Sequence, residues 1–145
     1  MPVHHALIPC LRYRNAPAAI DFLCNAFGFE RQAVYPDEKD PTLVQHAQLL
    51  LHGQMIMLGS DRPGGITEKF RWKTAADAGG ITMCVAAVID DPDAHCAAAR
   101  AAGAEILTEP HDNEGYPGRG YDARDPEGNV WSFGNYDPFE TGTSP

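Results

Sequence analysis

Asn15-Ala16-Pro17-Ala18-Ala19-Ile20-Asp21-Phe22-Leu23-Cys24-Asn25-Ala26-Phe27-Gly28-Phe29-Glu30 decides the fold, because the chain repeats its outline. Shifted by 75 positions, Pro17 falls on Pro92, Ala19 on Ala94, Ala26 on Ala101, Gly28 on Gly103 and Glu30 on Glu105. The same offset carries Asp37 onto Asp112, Gly53 onto Gly128 and Gly59 onto Gly134, giving eight identities in one ungapped register. Self-similarity at a fixed offset marks a duplicated structural unit.

The matched residues are mostly those that start and stop elements. Pro17 and Pro92 suit the first turn of a helix, where a missing N–H costs nothing, and Gly28 and Gly103 suit a left-handed helix end. Asn15 offers an N-cap to the first helix, and Asp90 or Asp91 to the second. Each helix then runs for about eleven residues, an ordinary length. Ile20, Leu23, Cys24 and Phe27 form one apolar stripe at helical spacing, while Pro92 to Ala102 is alanine-rich and suited to close packing.

Strand character surrounds both helices. Ala6 to Tyr13 and Ile81 to Ile89 precede them; Glu30 to Tyr35, Val44 to Leu51 and Gln54 to Gly59 follow the first, and Glu105 to Glu109, Gly120 to Arg124 and Asn129 to Tyr136 the second. His52-Gly53-Gln54 and Pro126-Glu127-Gly128-Asn129 read as the last turns. The expected fold is α+β: two tandem βαβββ modules forming a cup-shaped mixed sheet. The 145 residues suit one domain, with module one at 3–59, a linker at 60–80, module two at 81–136 and a tail at 137–145.

With 43% hydrophobic and 21% charged residues the composition is that of a globular protein. A net charge of −9, from 20 acidic and 11 basic residues, opposes nucleic acid and anionic lipid as partners and would favour a cationic guest. No apolar run approaches the roughly 20 residues of a membrane span, and the start lacks the basic and apolar regions of a secretory signal, so the cytoplasm is expected. Cys10, Cys24, Cys84 and Cys96 form no CxxC pair, which speaks against a zinc site and favours free thiols. No P-loop, GxGxxG, G-x-S-x-G or HExxH occurs.

Together with Ala19-Ile20-Asp21-Phe22-Leu23 and Arg124-Asp125-Pro126-Glu127-Gly128-Asn129-Val130-Trp131-Ser132-Phe133, the repeat resembles the vicinal oxygen chelate superfamily over Val3 to Tyr136. This group includes glyoxalase I, extradiol dioxygenases, fosfomycin-inactivating enzymes and bleomycin-binding proteins. The resemblance implies metal ligands on the first and last strand of each module. Those positions map to Ile8, Met83, Met57 and Ser132, with Cys84 replacing Met83 if the register slips by one. Divalent metals in such enzymes need imidazole and carboxylate donors, which these side chains do not supply. No metal or other cofactor is expected.

Period-two alternation puts Met55 and Met57 on the cup face of one last strand, Val130 and Ser132 on the other, and Ile8, Cys10 and Arg12 on the first strand. Arg12 is either a ligand contact or a rim salt bridge. Trp131 and Phe133 point under the helices. His46, whose mate at the 75-residue offset is Tyr121, is the histidine best placed for function. His4 and His5 point to opposite sides of a strand, His95 sits on the exposed-leaning second helix, and His111 falls in a loop. Phe70-Arg71-Trp72-Lys73 in the linker is either a lid over the cup or a patch against a second subunit. Tyr116, Tyr121, Arg119 and Arg124 can meet a planar ligand or line the rim.

The ligand-binding set is therefore Ile8, Cys10, Arg12, His46, Met55, Met57, Trp72, Met83, Tyr121, Arg124 and Ser132, with no catalytic residue. The expected function is metal-independent binding of a small molecule, cationic or aromatic, by a homodimer resembling the bleomycin-resistance branch. The alternative is an enzyme: a glyoxalase-type lyase or isomerase, or another metal-dependent member using His46 or His5 from new positions.

Overall fold

The computed structural model describes residues 6–140; His4 and His5, and the tail from residue 141 on, lie outside them. Module one runs β1 (Cys10–Tyr13), α1 (Ala16–Phe27), β2 (Glu30–Pro36), β3 (Val44–Leu51) and β4 (Gln54–Ser60). Two short helices follow, α2 (Gly65–Lys69) and α3 (Ala75–Ala78). Module two repeats the order with β5 (Val85–Val88), α4 (Pro92–Ala101), β6 (Glu105–Asp112), β7 (Arg119–Arg124) and β8 (Val130–Gly134). The capping signals act as the sequence implies: the side chains of Asn15 and Asp91 accept from Ala18 N and Ala94 N, and Gly28 closes α1 at φ +82°.

The two expected modules each form a four-stranded mixed sheet, β1-β4-β3-β2 and β5-β8-β7-β6. In each sheet the first strand lies parallel to the last, and the remaining pairs are antiparallel. The helices cover one face of the sheets. Ile20, Leu23 and Phe27 of α1 and Cys96 and Ala99 of α4 join Ala47, Leu49, Leu51, Ile56, Leu58, Tyr121, Ala123, Trp131 and Phe133 in a single core.

Polar contacts stitch the two halves together at several points. The buried Asp125 carboxylate accepts from the Tyr13 hydroxyl at 2.7 Å, from Trp131 Nε1 at 3.1 Å and from the amides of Glu127 and Asn129. Glu127 accepts from the amides of Arg14 and Asn15, in front of α1. The Gln54 side chain bonds both the N–H and the carbonyl of Val88, at 2.9 and 2.8 Å, as a neighbouring strand would. His95 adds a fourth bridge: its Nε2 lies 2.8 Å from the Phe27 carbonyl, which can only accept, so Nε2 carries the proton and Nδ1 accepts from the Tyr121 hydroxyl at 2.5 Å. His95 is thus half-buried between the modules instead of facing solvent.

The 75-residue offset fails at two places, each by one residue. Cys10 pairs with Met57, but Ser132 pairs with Ala86, so the first strands correspond at an offset of 76. The cause is the strand-to-helix connection: Tyr13, Arg14, Asn15 and Ala16 separate Arg12 from Pro17, whereas only Ile89, Asp90 and Asp91 separate Val88 from Pro92. Conversely, Gln48 pairs with Met57 and Asp122 with Ser132, an offset of 74, because the turn before β8 carries one residue more than His52-Gly53. A one-residue slip moves a side chain to the opposite face.

Candidate functional site

On the face away from the helices, module one presents Cys10, Arg12, Met55, Met57, Gln48 and His46, which follow from the pairing of β1, β4 and β3. Module two presents Ala86, Ser132, Asp122, Arg124 and Val130. These half-cups open into different cavities. Ile8 and Met55 line one of about 840 Å³ together with Ala86, at the seam between the sheets. Ser132 lines one of about 340 Å³ with Tyr116, Tyr136 and Phe139 around it. Cys10, Arg12, Trp72 and Met83 come together in a third, of about 520 Å³, roofed by the linker.

The other expected residues are placed as follows. His46 is half-buried, stacked on Tyr35 with ring centroids 6.2 Å apart, and its Nε2 lies 3.0 Å from Gln48 Oε1. Arg124 is held by Glu105 at 2.9 Å on the open face of its sheet. Met57 sits mid-face opposite Cys10 and Gln48. Tyr121 is the correction: it is 1% exposed, on the helix side, and its hydroxyl is committed to His95. The longer turn before β8 is the reason, since it makes Ala47, not His46, the structural mate of Tyr121. Met83 is likewise displaced; it is 76% exposed and precedes β5, and the position matching Ile8 belongs to Cys84.

The linker-roofed cavity has the most developed architecture. Phe70 and Trp72 stack at 5.9 Å, and the Arg12 guanidinium lies 4.5 Å from the Trp72 ring centroid. Gly59 lies against the Nη1 end of the guanidinium: a Cβ there would overlap Arg12 Nη1 and press on the Gln45 carbonyl. Arg12 is therefore clamped between a glycine and an indole, and its Nε is buried with no acceptor. Burial, and then the neighbouring Arg62, push its pKa down. Arg71, between the aromatics, adopts φ +53°, a left-handed backbone that costs a non-glycine residue about 1 kcal/mol. Thr74, 1% exposed, caps α3 and fixes the roof by bonding Asp77, whose carboxylate also pairs with Arg14.

The chain matches the Glyoxalase/Bleomycin resistance protein/Dioxygenase superfamily over residues 3–133. It belongs to that superfamily. No curated protein matches it. Among solved structures it is similar to TioX from Micromonospora sp. ML1, with 25% identity, a TM-score of 0.69 and coverage of 90% of this chain and 94% of that one. FosX from Listeria monocytogenes, a genomically encoded fosfomycin resistance protein, shares 13% identity at a TM-score of 0.65, covering 96% and 98%. Glyoxalase I from Zea mays shares 16% identity at a TM-score of 0.64 over 88% of this chain, but over 43% of its own. The last two likenesses concern the fold alone.

The superfamily's metal can be tested against the side chains present. Ile8, Met57, Ser132 and either Met83 or Cys84 stand at the ligand positions that the resemblance implies, and they do not fit a divalent ion: one thiol is the strongest donor among them. Among the described residues no three His, Cys, Asp or Glu side chains are grouped so as to hold a metal ion. Nor is any helix of these residues long and apolar enough to cross a membrane.

Proposed function

We propose that this member of the superfamily is a metal-independent small-molecule-binding protein, and that its guest is a compound with an apolar or aromatic body held in the linker-roofed cavity. The observation that carries the reading is the chemistry at Ile8, Met57, Cys84 and Ser132: an apolar or weakly polar wall stands where a metal enzyme needs imidazole and carboxylate. A cavity of about 520 Å³ is within the range that takes drug-sized molecules. Aromatic and apolar lining with a few fixed polar groups, here Arg12 and Thr74, is the usual composition of such sites. Binding with no bond made or broken is then the activity, and the glyoxalase-type lyase has no acid, base or Lewis acid at those positions to rest on.

A homodimer is part of this proposal. The open faces of both sheets are only half-covered by their own chain, with Met55, Met57, Val130 and Ser132 partly exposed, and a second copy laid against them would complete a cup from one half of each. The test is a thermal-shift and calorimetric screen of planar apolar compounds, with and without a chelator, on wild-type and Trp72→Ala protein. Binding that survives the chelator and weakens by about tenfold in Trp72→Ala is expected, since removing an aromatic anchor costs roughly 1–2 kcal/mol. Loss of binding on chelation would reject metal independence.

A further inference from the structure

We infer that the linker-roofed cavity is built to receive a carboxylate, with Arg12 as its receptor, so that the guest is an apolar organic acid and not a cation. The inference rests on the cavity being the binding site proposed above, and it reverses the charge preference that the composition suggests.

The charge lining this cavity runs against that of the chain as a whole, although Arg71 and Lys73 also line a neighbouring cavity that contains Asp61 and Glu68. The whole protein has 20 acidic and 11 basic residues. Arg12, Arg71 and Lys73 all line the cavity, and none of its lining residues is Asp or Glu. Every other arginine is already paired: Arg14 with Asp77, Arg31 with Asp21, Arg62 with Asp37, Arg100 with Glu109, Arg119 with Asp93 and Asp112, and Arg124 with Glu105. Among the described residues, Arg12 and Arg71 are the two of the eight arginines with no ion pair, and they share one cavity.

Arg12 is also held in place in advance. Trp72 lies across a face of the guanidinium and Gly59 against its Nη1 end, which leaves the edge carrying Nε and Nη2 without a partner among the described residues. That edge contains Nε, which is buried without an acceptor. A buried donor left without a partner is a penalty that proteins rarely keep unless something else fills it. The edge carrying Nε and a terminal nitrogen is the fork that a carboxylate engages with two parallel hydrogen bonds. Asp61, two residues past Gly59 at the same end of the strand pair, acts on Arg12 through its charge and makes no ion pair with it among the described residues.

The remainder of the wall specifies the body of the guest. Trp72 carries the Arg12 guanidinium over its ring and stacks with Phe70, so it positions the guanidinium as well as walling the cavity. The same cavity also has uncovered apolar surface: Met83 is 76% and Ile81 41% exposed, and Leu11 lines it with them. A carboxylate on Arg12 would lay an attached apolar group across these side chains. Arg71 and Lys73, both exposed at the mouth, would draw an anion in across an otherwise acidic surface.

The test compares three probes with one shared body, 2-naphthoate, 2-naphthylmethylammonium and 2-naphthalenemethanol, titrated by calorimetry and by the Trp72 emission that survives in a Trp131→Phe background. Expected is 2-naphthoate binding about tenfold or more tighter than the other two, as suits a charge-assisted bond in a dehydrated site. Arg12→Met, which keeps the stem against Trp72, should abolish that preference, and Arg12→Lys should recover only part of it, because an ammonium lacks the fork. The exposed double variant Arg71→Gln and Lys73→Gln, which cannot disturb the core, should weaken the acid alone, by about threefold at low salt. Equal binding of acid, amine and alcohol would overturn the carboxylate receptor while leaving the cavity as the binding site. Binding of none of the three would overturn both. Displacement of 2-naphthoate by inorganic phosphate at equal concentration would overturn the apolar-acid specificity in favour of a general oxyanion site.

Discussion

Ile56 and Trp131 occupy the same position in the two halves of the chain, as do Leu58 and Phe133, and the two halves fill those positions in opposite ways. Module one backs its sheet with aliphatic side chains, Ala47, Leu49, Leu51, Ile56 and Leu58. Module two uses rings: Trp131 and Phe133 lie nearly parallel, 6.3 Å apart, Tyr121 stacks on Phe133 at 5.5 Å, and Phe27 reaches across from α1 to touch both Trp131 and Phe133. The rings bring polar atoms with them. Trp131 Nε1 and the Tyr121 hydroxyl need partners when buried, and those partners, Asp125 and His95, are the groups that also hold Tyr13 and Phe27 of module one. An identical backbone plan thus yields one half that packs and one half that fastens. The open faces divide differently: module one carries the free guanidinium of Arg12, whereas Arg124 in module two is spent on Glu105.

This asymmetry can be broken from either side. Trp131→Ala should cost about 4 kcal/mol of unfolding free energy in urea, and Ile56→Val, at the equivalent position, about 1 kcal/mol. Similar costs would mean that the aromatic half has no special place in the core. Asp125→Ala leaves the Tyr13 hydroxyl, the Trp131 N–H and two turn amides without an acceptor, and should cost about 3 kcal/mol, a loss to be read by the same urea titration. Asp125→Asn should recover part of it.

A smaller effect is expected at His95 and depends on pH. Burial, and then His52, hold its pKa below the ordinary 6.5, with the bond to the Phe27 carbonyl pulling partly the other way. The unfolded chain therefore takes up a proton first as pH falls. Stability from the neutral ring is complete above the unfolded value and is lost as pH drops through 6.5 toward the depressed folded value. His95→Gln should flatten the melting temperature between about pH 7 and pH 5, relative to wild type. An unchanged slope would place the acid sensitivity elsewhere.

Most of the fold is legible from the repeated prolines, glycines and caps, because these fix where elements begin and end whatever lies between them. Register is less legible. It depends on the connection from Tyr13 to Ala16 being one residue longer than that from Ile89 to Asp91, and on the turn at Asp125 being one longer than that at His52, and both differences hide inside a good ungapped match. That is why Tyr121 reads as a cup residue and is a core one. The linker helices are too short and glycine-flanked to show a period. The clamp on Arg12 joins residues 12, 59 and 72, a contact no local pattern encodes, although an arginine and a repeated glycine on neighbouring strands was a usable hint. Asp125 looks like a turn residue because it is one; its reach to Tyr13 appears only when the halves are packed.

Elemental analysis of protein purified without chelator, run beside a thermal-shift series with nickel, zinc, iron(II) and manganese, bears most directly on the metal-free cup. Substoichiometric metal and no ion-specific rise in melting temperature are expected. One equivalent of a transition metal per chain, or a large stabilisation by one of these ions, would contradict metal independence and return the chain to the metal enzymes of its superfamily.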